Sequence, residues 1–183
     1  MESEKLSPKF SDIIEARKTL KPIVKYTTME YSRLFSSMSG ADVYMKLENL
    51  QSTGSFKVRG AFNKISHLHP EEVKNGVTCA SAGNHAQGVA FASAQLGIHS
   101  KIFMPVFTPP LKVIATKGYG AEVVLVGSNF DEAYTEAKLY ADKSKATFVE
   151  PFDDPLIIAG QGTVGLEIID QLENVDEIFV PIG

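Results

Sequence analysis

Between residues 77 and 172 the chain alternates short apolar runs with helical patterns, and this alternation limits the possible folds more than any other feature. Val77–Ser81, Lys101–Met104, Glu122–Val126 and Thr147–Glu150 are apolar and short enough to be strands. Between them, Ala86, Val89, Ala90 and Ser93 share one helical face. Pro109-Pro110 opens a helix through Lys117, and Asn129 can cap another to about Ser144. A longer helical stretch ends near Leu172. Strands alternating with helices predict an α/β fold, with open, twisted parallel sheets covered by helices on both faces. In such folds ligands sit at the carboxyl ends of strands, beside helix N-termini. Two loops have that position and unusual content: Ser52 to Lys57, and Ser81 to His85.

Upstream, Tyr31, Leu34, Phe35 and Met38 fall on one helical face that Gly40 stops. Val43, Met45 and Leu47 alternate with Tyr44, Lys46 and Glu48, a strand pattern. A polar loop follows from Asn49 to Ser55, and a helix starts near Phe56 with Val58, Ala61, Phe62 and Ile65 inward. At the far end, Glu177 to Gly183 reads as a buried strand that stops as a loop begins. A natural domain rarely stops there, so a truncated chain or fragment is the expectation.

A chain of 183 residues with 44% hydrophobic content can bury a core. Its 18 basic against 22 acidic residues give −4 without a basic face, which argues against nucleic acid as a partner. The single cysteine, Cys79, excludes an internal disulfide framework and a cysteine-rich metal site; inside an apolar strand it should be a buried thiol. Met1 to Asp12 is too polar for a secretory signal, and no apolar run is long enough for a bilayer. The expectation is a soluble cytoplasmic protein, with no membrane partner.

Lys57 lies in the first turn of a helix, between Phe56 and Val58 and near Ala61. Burial and the positive end of the helix dipole both oppose its charge. A neutral amine is the form that attacks a carbonyl to make a Schiff base. The plain alternative is a surface lysine with its stem along the helix. Ser81-Ala82-Gly83-Asn84-His85 offers a nest of backbone N–H groups for a small carboxylate, or simply an Asn84 helix cap with His85 exposed. Gly160-Gln161-Gly162-Thr163-Val164-Gly165 matches a dinucleotide fingerprint literally, but too little helix would remain before the next strand. Close helix packing is the better reading of its glycines, with a nucleotide-binding module as the competing one. His67, His69 and His99 lack metal-ligand spacing, so no metal is expected. Phe152-Asp153-Asp154-Pro155 reads as a turn after a strand, a plain turn in preference to one that lines the cleft.

Lys46-Leu47-Glu48-Asn49 together with Ser55-Phe56-Lys57-Val58-Arg59-Gly60 resembles the threonine dehydratase and serine racemase family, fold-type II pyridoxal phosphate enzymes related to the tryptophan synthase β subunit. Ser81 to Gly88, Pro151 to Pro155, Ala159 to Thr163 and Val180 to Gly183 match further blocks of that family in order, so the resemblance runs from about Pro22 to Gly183. It implies that Lys57 holds pyridoxal phosphate and moves the Cα proton. Phe56 would pack by the pyridine ring, and Asn84 would bond the phenolic oxygen. Ser55, Ser81, Ala82, Gly83, Asn84 and His85 would form the substrate site, and Gly183 would begin the phosphate loop.

The implied reaction is dehydration of L-threonine or L-serine to a keto acid and ammonia, in a homo-oligomer. Serine racemases of this kind carry a second serine where this chain has Ala82. Racemisation needs a proton donor on each cofactor face, so Ala82 favours dehydration over racemisation. The implied architecture is a small α/β domain over residues 59–147, flanked by 1–58 and 148–183 as parts of an incomplete large domain. With its phosphate cradle incomplete, the chain alone is expected to bind cofactor weakly and be inactive.

Overall fold

The computed structural model describes residues 7–181. Its centre is a four-stranded sheet of β3 (Val77–Ala80), β4 (Ser100–Met104), β5 (Glu122–Leu125) and β6 (Thr147–Phe148). The strand order is β5-β4-β3-β6 and every pairing is parallel. These are four of the expected strands, each within a few residues of its reading. β3 is buried at all four positions, as a strand covered on both faces must be. One face meets α7 (Phe130–Ser144), with Ala80, Phe103 and Ala137 at the contact. The other meets α3 (Lys57–Ser66) and α5 (Asn84–Leu96), through Ile65, Val89, Ile102 and Met104. Cys79 is fully buried there, and burial pushes its thiol well above the ordinary range.

Local signals explain the helix limits. The Asn129 side chain accepts from Glu132 N at 3.0 Å and starts α7 as expected. Pro110 begins α6 (Pro110–Gly118), where its missing N–H is harmless. Asp154 starts α8 (Pro155–Gln171), accepting from the N–H groups of Leu156 at 2.8 Å and Ile157 at 3.2 Å. The Phe152–Pro155 turn is therefore also a helix cap.

Three readings need correction. The expected strand from residue 177 is irregular and exposed through 181, with Phe179 88% exposed. It pairs with no strand among the described residues, and without a ladder an apolar run has nothing to make it extend. Residues 182 and 183, including Gly183, lie outside the described residues. The sheets are also not all parallel: β2 (Tyr44–Lys46) pairs antiparallel with β1 (Met29–Tyr31). Tyr31 ends β1 instead of beginning a helix, because the Ser32 hydroxyl accepts from Phe35 N and starts α2 (Arg33–Ser39) one residue later. Finally, Leu34, Phe35 and Met38 on α2 are exposed, so helical spacing there did not mark a core face.

The glycines at 160–165 lie inside α8, with no strand before them and no loop to wrap a phosphate. A Cβ on Gly160 would stand 2.7 Å from Arg59 O and from Gly60 Cα, and one on Gly60 would stand 2.9 Å from Ile157 O. Helices α3 and α8 thus cross backbone against backbone, the close packing expected of these residues. α1 (Phe10–Leu20) lies on another side of α8, where Gly162 faces Ile13.

This crossing makes a measurable contrast. Gly160→Ala should destabilise the fold by about 2 kcal/mol, because rigid backbone blocks the added methyl. Gly165→Ala meets nothing within 4 Å and should leave stability unchanged or raise it by up to about 1 kcal/mol through helix propensity. Urea unfolding of the two variants checks this.

Candidate functional site

Three loops converge at the carboxyl ends of β3 and β6, which are neighbours in the sheet. The first runs from a 3-10 turn at Glu48–Leu50 to the start of α3. Gln51 pins it to the preceding chain, accepting from Lys25 N at 3.1 Å and donating to Lys25 O at 2.6 Å. Gly54 takes a left-handed φ of +71°, which lets the loop turn back into α3. Ser55 is buried, and its hydroxyl has no hydrogen-bond partner among the described residues.

Lys57 is the first residue of α3 and is half-buried. Its Nζ donates to Pro151 O at 3.0 Å. The same nitrogen lies 4.6 Å from the centre of the Phe152 ring and 5.5 Å from that of Phe56. Burial lowers its pKa below the ordinary lysine value. Lys57 is therefore not the solvated surface lysine of the plain alternative.

The second loop joins β3 to α5. Ser81 N donates to Phe103 O at 3.1 Å, and Gly83 N donates to the Ser81 hydroxyl at 3.2 Å. Gly83 precedes the helix and Asn84 is its first residue, so Asn84 is not the N-cap, and its side chain is exposed. Open space lies in front of Gly83, where an added Cβ would meet nothing within 4 Å. Ala82 is half-buried. The next turn of α5 rests on the first residue of α3: a Cβ on Gly88 would come within 3.1 Å of the Lys57 carbonyl.

His85 corrects the reading of an exposed ring. It is 4% exposed, and Nε2 lies 3.0 Å from Val149 O. A carbonyl only accepts, so Nε2 carries the hydrogen and Nδ1 is bare; that buried Nδ1 has no partner among the described residues. Burial, with the neighbouring Lys57 charge adding to it, lowers the His85 pKa to about 4 against the Val149 hydrogen bond.

The third loop, Val149 to Asp154, meets both others through Val149 O and Pro151 O. The sequence favoured a plain turn over a cleft-lining segment for Phe152 to Pro155, and did not show that main-chain carbonyls just before it meet the other two loops. Asp154 pairs with Lys64 at 2.7 Å, tying the loop to α3.

A second omission lies behind the loops. Arg59 is fully buried and bonds Glu48, Glu167 and Thr163, while Lys46 lies 2.6 Å from Glu167. Burial alone would raise the Glu48 carboxyl, yet hydrogen bonds from Arg59, Thr27 and Gln51 hold it below its ordinary range. The available signal was Glu167 itself, which shares a helical face with Gly160 and Thr163. His67, His69 and His99 are exposed as expected, and the described residues hold no cluster that could bind a metal ion. Nor is any described helix long and apolar enough to cross a membrane.

The donor set fits an aldehyde cofactor at Lys57. A depressed lysine amine lies between two aromatic rings, with an orphaned Ser55 hydroxyl nearby in the same loop and the free N–H groups of the α5 N-terminus close by.

The buried ring also sets an acid limit. Its pKa lies below the ordinary 6.5, so unfolding lets it take up a proton. The stability it contributes is complete above about pH 6.5 and drains away as pH falls towards 4. Urea titrations should show wild type losing about 3 kcal/mol more than His85→Gln between pH 7 and pH 4. Parallel acid profiles would place the ring in solvent.

Residues 20–183 match the family described as pyridoxal-phosphate dependent enzymes. An L-threonine ammonia-lyase of Thermotoga maritima is 53% identical over 172 residues, which is 94% of this chain and 43% of that protein. The processed form of threonine deaminase isoform 2 from Solanum lycopersicum superposes with a TM-score of 0.84 at 39% identity, covering 92% of this chain and 48% of that one. Maize serine racemase gives 0.89 at 33% identity, covering 93% and 52%. The chain spans about half the length of these relatives. On the match of residues 20–183, it belongs to the pyridoxal-phosphate dependent enzyme family.

Proposed function

We propose that the intact protein dehydrates a small hydroxy amino acid, L-threonine or L-serine, to the corresponding 2-oxo acid and ammonia, with Lys57 as the catalytic residue. The observation that carries this is the Lys57 amine, desolvated and donating to Pro151 O at 3.0 Å between two phenyl rings. The 53% identity to an L-threonine ammonia-lyase supports the substrate class. Pyridoxal phosphate, when bound, supplies an electron sink for negative charge at the amino-acid Cα.

The chain's own residues do the rest. Lys57 Nζ would hold the cofactor and would be the group placed to take the Cα proton; burial, by lowering its pKa, favours the neutral amine that this role needs. Phe56 would pack by the cofactor's pyridine ring and Asn84 would donate to its phenolic oxygen. The segment Ser81, Ala82, Gly83, Asn84 and His85 would receive the substrate carboxylate at the α5 N-terminus, on helix N–H groups that have no helical partner; the N–H groups of Ser81 and Gly83 are already committed to Phe103 O and to the Ser81 hydroxyl. The His85 ring is committed to Val149 O, so its main chain is the part offered to that carboxylate. The Ser55 hydroxyl is free to bond the substrate. The phosphate contact assigned to Gly183 stays an inference from resemblance. We read residues 59–147 as the smaller lobe; support comes from the parallel sheet falling within 77–148, apart from the β1–β2 pair.

Maize serine racemase favours a second reading by its fold, and Ala82 opposes it, since a methyl group cannot exchange a proton on the opposite cofactor face. Borohydride treatment of the cofactor-loaded intact protein, followed by peptide mapping, should fix the label on Lys57. Lys57→Ala should lose the label and about 10²–10⁴-fold in turnover. Wild type should form keto acid far faster than D-serine from L-serine; comparable rates would defeat the reading of Ala82.

A further inference from the structure

We propose that Arg59 is a positioning residue for Lys57. By gripping Glu48 and Glu167 together, it closes the base of the loop that carries Ser55, Phe56 and Lys57 and fixes the first turn of α3 against α8. The inference rests on the reading of Lys57 as the point of cofactor attachment.

The bonding is complete. Arg59 Nε and Nη2 donate to the two oxygens of Glu48, both at 2.8 Å. Nη1 donates to Glu167 Oε1 at 2.7 Å and to Thr163 Oγ1 at 3.2 Å, and Nη2 donates to Glu167 Oε2 at 2.9 Å. A guanidinium has five N–H donors, and these five bonds use all of them. The group is fully buried, so no water shares the work. Glu48 and Arg59 stand at opposite ends of the loop, so their pairing closes it like a clasp. Glu167 belongs to α8, the helix that Asp154 starts at the end of the Pro151 loop. One cation thus couples the loop bearing Lys57 to the element that leads from its carbonyl partner. Arg59 N also donates to Phe56 O at 3.0 Å within the same turn.

Positions two apart on a helix lie about 200° around the axis. Arg59 therefore anchors the side of the turn opposite Lys57 without touching the cleft. Lys46 offsets the second carboxylate at 2.6 Å from Glu167, and the four groups sum to zero charge. Lysine at position 59 would keep the charge but offers a single point in place of a fork that spans two carboxylates.

The test uses the intact protein and pyridoxal phosphate. The readouts are the rate and extent of borohydride-fixed attachment at Lys57, the split between kcat and KM, and the thermal midpoint. Arg59→Lys should attach cofactor about tenfold more slowly and lose a similar factor in kcat, with KM for the amino acid within about twofold. Glu48→Gln, which keeps an acceptor for the fork, should lose about threefold. Thr163→Val removes only the longest of the five bonds and should stay within about twofold. Wild-type attachment rates in folded Arg59→Lys overturn the proposal. Should that variant not fold, an unchanged rate in Glu48→Gln, or a loss in Thr163→Val equal to that in Glu48→Gln, overturns it as well. A wild-type protein that takes no cofactor at Lys57 fails differently, because it removes the underlying reading and the proposal with it.

Discussion

Everything around Lys57 depends on a buried cation held by two carboxylates from distant parts of the chain. Arg59, Glu48 and Glu167 come from α3, a 3-10 turn and α8, and they meet where no solvent reaches the guanidinium. Such a cluster is weak evidence for net stability, because desolvating four charges costs several kcal/mol per ion. Its contribution is selectivity among arrangements. An apolar contact tolerates small slips, whereas five directed hydrogen bonds do not. Leaving any member alone exposes the others to an uncompensated interior charge, typically a loss of about 3–5 kcal/mol. The elements around the site are therefore constrained to one register.

A second constraint comes from the parallel sheet. Neighbouring parallel strands point their carboxyl ends the same way, so the loops after β3 and β6 emerge side by side. Helix α5 starts from one and α8 from the other, and α3 packs against both. Backbone carbonyls at the ends of strands then become specific partners: Val149 O fixes the tautomer of His85, and Pro151 O receives the Lys57 amine. A polar site is assembled largely from main-chain groups that the sheet has already placed.

Much of this was legible in the sequence. Period, capping residues and proline placement located the four parallel strands and α3, α5, α6, α7 and α8, because those signals are local; the short α4 (Pro70–Asn75) was not read. The Lys57 and Ser81–His85 loops were legible from their position after strands, and their family from ordered motifs. What escaped had a nonlocal cause. The clustering of Lys46, Glu48, Arg59 and Glu167 depends on a helix crossing more than 100 residues away in the chain. Alternation revealed β2, but its antiparallel partner β1 is too short for period to reveal. One of the two readings of the Ser81–His85 loop left His85 exposed beside an Asn84 cap, because nothing nearby in sequence announces that Val149 will reach its ring. The terminal run from 177 was misread for the converse reason: hydrophobic content suggested a strand, but a strand needs a neighbour.

The backbone contact between Gly60 and Gly160 has a consequence for the order of events as the protein is made. Those two positions are 100 residues apart in the chain, yet each occupies space that a side chain on the other helix would need. Loop closure over such a span is entropically demanding and slow compared with forming either helix. On a ribosome, the segment holding Lys57 emerges long before α8 exists. During that interval the lysine lacks Pro151 O and the Phe152 ring, the partners that lie just before α8 in the chain. Acquisition of chemical competence is thus tied to late tertiary assembly.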